Sequence, residues 1–343
     1  MSLPILDLRD FTASAGQPQF LDSLRAAARN VGFFYLVGHG LPSSQMQALF
    51  DLSRTFFALP EADKQEIQMA NSRHFRGYTR LGHERTGGNV DWREQIDIGL
   101  EVPTLEVKEG EPPWRRLQGP NQWPRALPAL RKAFLDWHED VGGVARRLLQ
   151  AFALALEQPA NRFDVLLQPL PNQVVKTIRY PGREGAAEGQ GCGAHKDSEL
   201  LTLLLQDEVG GLQAQDLNGC WIDVPPVAGS FVVNTGELLE LATNGYLRAT
   251  VHRVLAPAAG VERFSIAFFL GAGLGGTVPQ LTLPPRLAAD ARGPASDPAN
   301  PLYRDVGLNT LKGRLRSHPD VAARHYADVT AAMLGLQPLL PGT

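Results

Sequence analysis

Cysteine is scarce in this sequence of 343 residues, which contains only Cys192 and Cys220. Two cysteines cannot build a disulfide scaffold in a chain of this length, and their scarcity favours a reducing compartment. Neither belongs to a Cys-x-x-Cys pair, so nothing indicates a zinc knuckle or a thioredoxin-like site.

Long apolar runs and runs of one charge are also missing. No stretch reaches the roughly 18 apolar residues that a membrane-spanning helix needs, and residues 1–10 lack the apolar core of a secretory signal. The net charge is only −3, and basic residues are spread along the chain rather than clustered for nucleic acid. We therefore expect a cytoplasmic protein without membrane or nucleic-acid partners, acting as a monomer or weak homo-oligomer on a small molecule.

The pattern of apolar residues changes along the chain. Helical spacing over residues 20–31, 46–57 and 126–156, with an aromatic run at Phe33–Val37, predicts helices around a short strand. After residue 172, turn pairs such as Asn218-Gly219 separate short β-rich runs at 174–180, 200–206, 212–216, 230–233, 250–255 and 263–270. Prolines at 294, 298 and 301 indicate a loop, with a final helix over 321–334. We predict a mainly β protein with flanking helices (α+β) and a cupin-like jelly-roll core.

The strongest chemical signal is His195-Lys196-Asp197. On an extended chain, residues two apart point to the same side, so an imidazole and a carboxylate can face one metal ion. His252, in the β-rich run 249–254, is the best candidate for a third ligand. Two histidines and one carboxylate leave open positions for a redox iron, whereas a structural zinc site is filled by four protein ligands. The alternative is that each is an ordinary hydrogen-bonded side chain.

A second signal is Arg263-Phe264-Ser265. On a strand, Arg263 and Ser265 share one side, where a guanidinium and a hydroxyl can bind a carboxylate. Such a pair near a metal suits the distal carboxylate of a dicarboxylic 2-oxo acid. The alternative for Arg263 is a structural ion pair.

An ordered set of motifs resembles one known family. The segments are 32–41 (GFFYLVGHGL), 56–60 (FFALP), 178–181 (IRYP), 193–197 (GAHKD), 201–206 (LTLLLQ), 210–213 (GGLQ), 234–237 (NTGE), 252–254 (HRV) and 263–265 (RFS). Together they resemble the isopenicillin N synthase-like branch of the iron(II)/2-oxoglutarate-dependent dioxygenases over nearly the whole chain. Three residues depart from the usual pattern: Lys196 replaces threonine, Glu237 aspartate and Ala249 serine.

The resemblance implies a double-stranded β-helix with Fe(II) on His195, Asp197 and His252. It also implies that Arg263 and Ser265 bind 2-oxoglutarate, with the Tyr180 hydroxyl as a further donor, although Tyr180 alone could be a core tyrosine. The implied reaction converts 2-oxoglutarate and O2 to succinate and CO2 and oxidises a small molecule, usually by hydroxylation, with ascorbate as an optional reductant.

The resemblance also implies how the chain is organised and where substrate enters. Residues 1–343 form a single catalytic unit, divided into an N-terminal helical and strand region (1–110), buttress helices (111–171), the jelly-roll core (172–275) and a C-terminal loop and helix (276–343). Arg76, Tyr78 and Arg93 fall where the family often lines its pocket entrance, and Arg76 or Arg93 could meet an acidic group on the substrate. The alternative for each arginine is an ordinary surface position.

Two other functions remain open at this point. One is an oxidase of the same fold that does not use 2-oxoglutarate, as isopenicillin N synthase uses its Arg-x-Ser pair for a substrate carboxylate. The other is a non-catalytic cupin-like protein that binds a metal or a small ligand. Succinate formation from 2-oxoglutarate separates the first from a dioxygenase, and consumption of O2 separates the second.

Overall fold

The computed structural model describes residues 2–184, 189–295 and 300–334. The strands of the described residues are β1 Ile5–Asp7, β2 Phe33–Val37, β3 Gly77–Thr79, β4 Arg85–Thr86, β5 Asn89–Val90, β6 Glu94–Gly99, β7 Asn172–Pro181, β8 Gln190–His195, β9 Leu201–Gln206, β10 Leu212–Gln215, β11 Trp221–Asp223, β12 Phe231–Thr235, β13 His252–Leu255 and β14 Glu262–Gly271. The α-helices are α1 Leu8–Thr12, α2 Gln17–Asn30, α3 Ser43–Phe57, α4 Glu61–Gln65, α5 Ala129–Ala155, α6 Glu237–Ala242, α7 Pro285–Ala288, α8 Val306–Ser317, α9 Pro319–His325 and α10 Ala327–Leu334. Short 3-10 helices occur at Met69–Asn71, Pro113–Leu117 and Asp164–Leu167.

Two sheets form the centre of the molecule. The larger has eight strands in the order β1-β2-β12-β9-β14-β7-β6-β3, and the smaller has four in the order β11-β10-β13-β8. Neighbouring strands are antiparallel in both sheets except for the parallel pair β1 and β2. Strands from residues 1–110 (β1, β2, β3 and β6) and strands from residues 172–275 therefore belong to one sheet.

Apolar side chains fill the space between the two sheets and cover the outer face of the larger one. The inner cluster joins Ile178 and Val232 of the larger sheet to Leu212 and Val254 of the smaller. On the outer face, α5 packs against α2 and against strands β9 and β14. The buried side of α5 repeats at helical spacing, as expected for a helix that supports a sheet; its large members are Leu130, Phe134, Trp137, Val141, Leu148 and Phe152.

Most of the predicted elements are confirmed, but the C-terminal region is not. The six β-rich runs each contain a strand, and the long helix spans Ala129–Ala155. The expected loop of residues 276–320 is wrong in part, because it contains α7 and α8, and the helix expected over 321–334 is divided into α9 and α10. The side chain of Asp305 accepts a hydrogen bond from the Leu308 backbone N–H (2.8 Å) and so begins α8.

Membrane insertion through a helix has no support in the described ranges. None of the helices in residues 2–184, 189–295 and 300–334 combines the length and the apolar character needed to cross a bilayer.

Candidate metal centre and substrate cavity

The three predicted metal ligands converge at one end of the four-stranded sheet. His195 ends β8 and His252 begins β13; the two lie opposite each other in the antiparallel pair, with ring centroids 4.3 Å apart. Asp197 follows in the loop after β8, and its Oδ1 lies 3.5 Å from Nε2 of His195 and 3.6 Å from Nε2 of His252. The donor atoms all lie within 4.8 Å of one another, which lets one metal ion bind all three.

Backbone carbonyls orient both imidazoles. Nδ1 of His195 lies 2.7 Å from the carbonyl oxygen of Gly193, and Nδ1 of His252 lies 3.1 Å from that of Thr250. Because a carbonyl oxygen can only accept, each Nδ1 carries the proton and each Nε2 keeps a lone pair for a metal. Burial, with the neighbouring His195, lowers the pKa of His252 to about 4, so this ring is neutral near pH 7.

The larger sheet holds the carboxylate of Asp197. Its Oδ2 accepts hydrogen bonds from Thr202 Oγ1 on β9 (2.5 Å) and from Asn234 Nδ2 on β12 (2.8 Å). Burial alone would raise the pKa of Asp197, but His252 and His195 hold it well below its usual range. The carboxylate is therefore ionised, and Oδ1 remains for a metal. This set of two nitrogens and one oxygen fits iron(II) with open coordination positions.

A second buried site lies on β14. Arg263 is fully buried and Ser265 is 1% exposed, and the guanidinium carbon of Arg263 lies 4.9 Å from the ring centroid of Tyr180. Nη2 of Arg263 donates to Oε1 of Gln206 (2.9 Å), but Nε and Nη1 have no hydrogen-bond partner among the described residues. A buried cation with unused donors is costly unless an anion binds to it. The residues present therefore fit the distal carboxylate of 2-oxoglutarate.

A cavity of about 260 Å³ opens beside His195 and Asp197. Its walls come from distant parts of the chain: the segment 84–87, Arg93 just before β6, strands β7 and β14, the loop after β8, the start of α6, and α8. Charged side chains of both signs line it, among them Glu84, Glu199, Glu237, Arg93, Lys176 and Arg314.

Ion pairs occupy the basic groups on one side of this cavity. Nη2 of Arg93 lies 3.0 Å from carboxylate oxygens of both Glu84 and Asp91, and Nζ of Lys176 lies 3.0 Å from Oε1 of Glu84. Nη1 of Arg314 on α8 lies 2.6 Å from Oδ2 of the buried Asp97 on β6. These pairs join α8 to the larger sheet.

Two of the three residues that depart from the family pattern, Lys196 and Glu237, also line the cavity. Lys196, between the two ligands of the His-x-Asp motif, places Nζ 3.0 Å from Oε2 of Glu240. Glu237 begins α6, and its backbone N–H donates to the carbonyl of Asp197 (2.8 Å). Burial raises the pKa of Glu237 to about 7.

The predicted entrance residues separate into two groups. Arg93 lines the cavity and is 8% exposed, so it is not a surface arginine. Arg76 is buried elsewhere, where Nη1 donates to the carbonyl of His74 (3.0 Å), and the Tyr78 hydroxyl donates to the carboxylate of Glu94. We therefore correct the assignment of Arg76 and Tyr78 to the substrate entrance, because β3 lies at the far edge of the eight-stranded sheet.

Sequence reasoning did not single out several residues of the site. Thr202 and Asn234 stand within the quoted motifs, which could have marked them as partners of Asp197. Glu199 lies two residues past Asp197, but Lys176 and Arg314 have no local signal because only the folded chain brings them to the cavity.

Family models match both halves of the chain. Residues 3–126 match the model described as non-haem dioxygenase in morphine synthesis N-terminal, and residues 171–272 match the 2OG-Fe(II) oxygenase superfamily. The second match contains the three candidate metal ligands together with Arg263 and Ser265.

Relatives extend over nearly the whole chain. It is 36% identical over 352 residues to 2-oxoglutarate-dependent dioxygenase frbJ of Dothideomycetidae sp. (strain 11243), covering 97% of this chain and 94% of that protein. It is 36% identical over 270 residues to homoarginine-6-hydroxylase 2-ODD-C23 of Glycine max, covering 74% and 81%.

A solved structure has the same architecture. A 2OG-Fe(II) oxygenase family protein from Caulobacter crescentus superposes with a TM-score of 0.73 at 28% identity, covering 90% of this chain and 97% of that one. This likeness confirms the predicted jelly-roll fold. With the relatives above, it follows that the chain belongs to the 2OG-Fe(II) oxygenase superfamily and is an Fe(II)/2-oxoglutarate-dependent dioxygenase of small molecules.

Proposed function

We propose that this dioxygenase hydroxylates a C–H bond of a small zwitterionic molecule of the basic amino acid class. The observation that carries the proposal is the cavity beside His195 and Asp197, which carboxylates and cations both line. A buried polar group left without a partner costs about 1–3 kcal/mol, and more when it is charged. A substrate with charges of both signs avoids that cost, whereas an apolar substrate does not.

Homoarginine, the substrate in the name of the Glycine max relative, has this chemistry. It carries a guanidinium and an ammonium group at opposite ends of an aliphatic chain, with a carboxylate beside the ammonium. Nε of Arg93 is buried without a hydrogen-bond partner among the described residues, and Arg93 lines the cavity. We assign the substrate carboxylate to the guanidinium of Arg93, which also pairs with Glu84 and Asp91.

The geometry of the site supports the roles predicted for the metal-binding and 2-oxoglutarate-binding residues. His195, Asp197 and His252 would hold iron(II), which supplies the redox chemistry that couples decarboxylation of 2-oxoglutarate to oxidation of the substrate. Arg263 and Ser265 would bind the distal carboxylate of 2-oxoglutarate. Tyr180, whose ring packs against the guanidinium, would orient Arg263 and supply its hydroxyl as a further donor.

Wider features of the proposal have separate support. A single catalytic unit over residues 1–343 is supported by the shared eight-stranded sheet, and membership of the isopenicillin N synthase-like branch is supported by the ordered motifs. The scarcity of cysteine supports a cytoplasmic location. We further propose a monomer or weak homo-oligomer that does not bind nucleic acid and uses ascorbate as an optional reductant.

An anaerobic titration tests the site, and product analysis tests the reaction. Iron(II) and 2-oxoglutarate together should give a visible metal-to-ligand charge-transfer band, which Asp197→Ala abolishes and the exposed control Asp223→Ala retains. In air, basic amino acids should stimulate succinate formation and gain one oxygen atom by mass spectrometry. Absence of the band, or of stimulation by every basic amino acid tested, would overturn the proposed function.

A further inference from the structure

Two carboxylates beside the metal centre are not used by the roles described so far. Glu199 lies in the loop between β8 and β9, and Glu237 begins α6; both line the cavity next to Asp197. Backbone hydrogen bonds join the two segments: Glu237 N–H donates to the Asp197 carbonyl (2.8 Å) and Leu238 N–H to the Glu199 carbonyl (3.2 Å). The two side chains therefore occupy neighbouring positions on one wall.

Gly236 makes this close approach possible. A Cβ at this position would lie 2.0 Å from the backbone carbonyl oxygen of Glu199, a separation that real atoms do not tolerate. The Asn234-Thr235-Gly236-Glu237 motif thus places a hydrogen-bond donor to the Asp197 carboxylate, a close backbone contact and a cavity carboxylate within four residues.

Among the described residues, Glu199 and Glu237 lack the ion pairs that several other charged residues of the cavity form. Arg93, Lys176 and Arg314 each form ion pairs with Glu84, Asp91 or Asp97, and Lys196 pairs with Glu240. Within residues 2–184, 189–295 and 300–334, no basic side chain lies within ion-pair distance of the Glu199 or Glu237 carboxylate, although Lys196 and Lys312 act on Glu237, and Arg314 acts on Glu199, from farther away. A ligand cation would neutralise these carboxylates.

The metal centre is an independent reason to expect a ligand in this cavity, because His195 and Asp197 line it as well. Arg93, which is more than nine-tenths buried and lines the same cavity, already pairs with Glu84 and Asp91 through Nη2. Among the described residues, the cavity therefore places two carboxylates that form no ion pair next to the metal centre, where the cationic group of a ligand would neutralise them.

We propose that Glu199 and Glu237 bind the cationic group of the substrate and thereby fix which carbon faces the metal centre. The inference rests on the proposed function and deepens it. Two carboxylates side by side match the forked donors of a guanidinium better than the single point charge of an ammonium. Glu237 is one methylene longer than the aspartate usual in the family motif, so its carboxylate extends farther into the cavity.

Binding to the anaerobic complex tests the inference without requiring turnover. The full-length enzyme with iron(II) and 2-oxoglutarate is titrated with L-homoarginine, L-lysine and L-homocitrulline, while the charge-transfer band is monitored. L-Homocitrulline replaces the guanidinium by a neutral ureido group of nearly the same shape. We expect L-homoarginine to perturb the band at concentrations at least about tenfold lower than L-homocitrulline, with L-lysine between them.

Variants assign the effect to the two residues. Glu199→Gln and Glu237→Gln should each raise the dissociation constant for L-homoarginine at least about tenfold and leave that for L-homocitrulline nearly unchanged. Glu237→Asp should fall between, because it keeps the charge on a shorter side chain. Glu139→Gln, on the exposed face of α5, is the matched control. A normal charge-transfer band in each variant shows that the fold and the metal centre are intact.

The outcomes separate this inference from the proposed function. Equal affinity for L-homoarginine and L-homocitrulline, unchanged affinity in both glutamine variants, or failure of both cationic compounds to bind would overturn the role of Glu199 and Glu237. A wild-type enzyme that forms no charge-transfer band at all overturns the proposed function itself.

Discussion

The two oxygens of Asp197 have different neighbours. Oδ2 accepts hydrogen bonds from Thr202 and Asn234, whereas Oδ1 faces Nε2 of both histidines. Since the donors to Oδ2 stand on strands of the larger sheet, the direction of Oδ1 is set by residues that do not themselves contact the metal. Such supporting hydrogen bonds usually affect metal affinity strongly.

Asn234→Ala is expected to weaken iron(II) binding about 10–100-fold, because Asp197 then loses one of the donors that orient it. Anaerobic metal titration measures the change. Asn218→Ala, in an exposed turn, is the control and should bind iron(II) as the wild type does. Unchanged affinity in Asn234→Ala would show that Thr202 alone is sufficient to orient the carboxylate.

Arg263→Met is expected to raise the dissociation constant for 2-oxoglutarate at least about 30-fold, because the ligand carboxylate loses a buried charged partner. Without 2-oxoglutarate the melting temperature should not fall, since a buried guanidinium with two unused nitrogens is replaced by an apolar side chain. Thermal unfolding with and without 2-oxoglutarate measures both effects, and the exposed Arg162→Met is the control. An undiminished shift with 2-oxoglutarate argues against the assignment.

For individual residues, the sequence indicated the candidate metal and 2-oxoglutarate ligands better than it indicated the residues that line the substrate cavity. His195 and Asp197 are two residues apart in one motif, and Arg263 and Ser265 share a strand face, so local spacing was informative. The cavity wall combines Glu84, Lys176, Glu199 and Arg314, which are far apart in the chain and meet only after folding. Arg76 was misplaced because its position along the chain does not reveal that it precedes a strand, β3, at the edge of the sheet.

At the scale of single elements, α8 is the part that sequence patterns missed. Gly307 and Gly313 weaken its helical signal, and the preceding prolines suggest a longer loop. Yet Gly307 is required by packing, because a Cβ there would lie 2.4 Å from the ring of Trp114. Gly307 therefore weakens the helical signal of α8 in the sequence, and it also allows α8 to pack against Trp114 and form one wall of the cavity.

Gly307→Ala is expected to destabilise the protein by about 1–3 kcal/mol, since the clash with Trp114 outweighs the gain in helix propensity. Gly313→Ala on the same helix has no atom within 4 Å of the added Cβ and should be stabilising by about 0.5–1 kcal/mol. Urea unfolding of the two variants gives the comparison. Equal free energies of unfolding would show that α8 is not tightly docked against Trp114.

At the scale of the whole molecule, buried neutral histidines make stability depend on pH. His138 on α5 packs edge-on against Phe268, with ring centroids 5.5 Å apart, and burial lowers its pKa to about 4. An unfolded histidine titrates near about 6.5. Because the folded pKa is lower, the stabilisation is present above that unfolded value and is lost as the pH falls towards 4.

His138→Leu should therefore reduce the loss of stability between pH 7 and pH 5 by about 2 kcal/mol. The free energy of unfolding in urea at the two pH values measures this difference, whatever the absolute stability of the variant. His83→Leu is the comparison: its side chain is 35% exposed and burial lowers its pKa as well, so the variant should change the pH dependence in the same direction but less than His138→Leu does. An unchanged dependence in His138→Leu would show that this histidine titrates normally in the folded state.

The overall architecture was largely predictable because alternating short strands and one long amphipathic helix are strong local patterns. The way in which the two halves share one sheet was not, because it depends on pairings such as β2 with β12 and β6 with β7, which are remote in sequence. The β-propensity of a segment predicts that it forms a strand. It does not predict the order of strands in the sheet, which depends on which strand edges remain unpaired when the other strands have paired.

The metal centre also has a mechanical consequence. Its imidazoles belong to one layer of the sandwich, while the hydrogen-bonded carboxylate is anchored to the other. An ion bound there would connect the two layers at their open end, and at a free concentration 100 times the dissociation constant it adds about 2.7 kcal/mol to the cohesion of the folded state. Chelation would then do more than stop the reaction: it would remove this link between the two layers and lower the melting temperature of the protein.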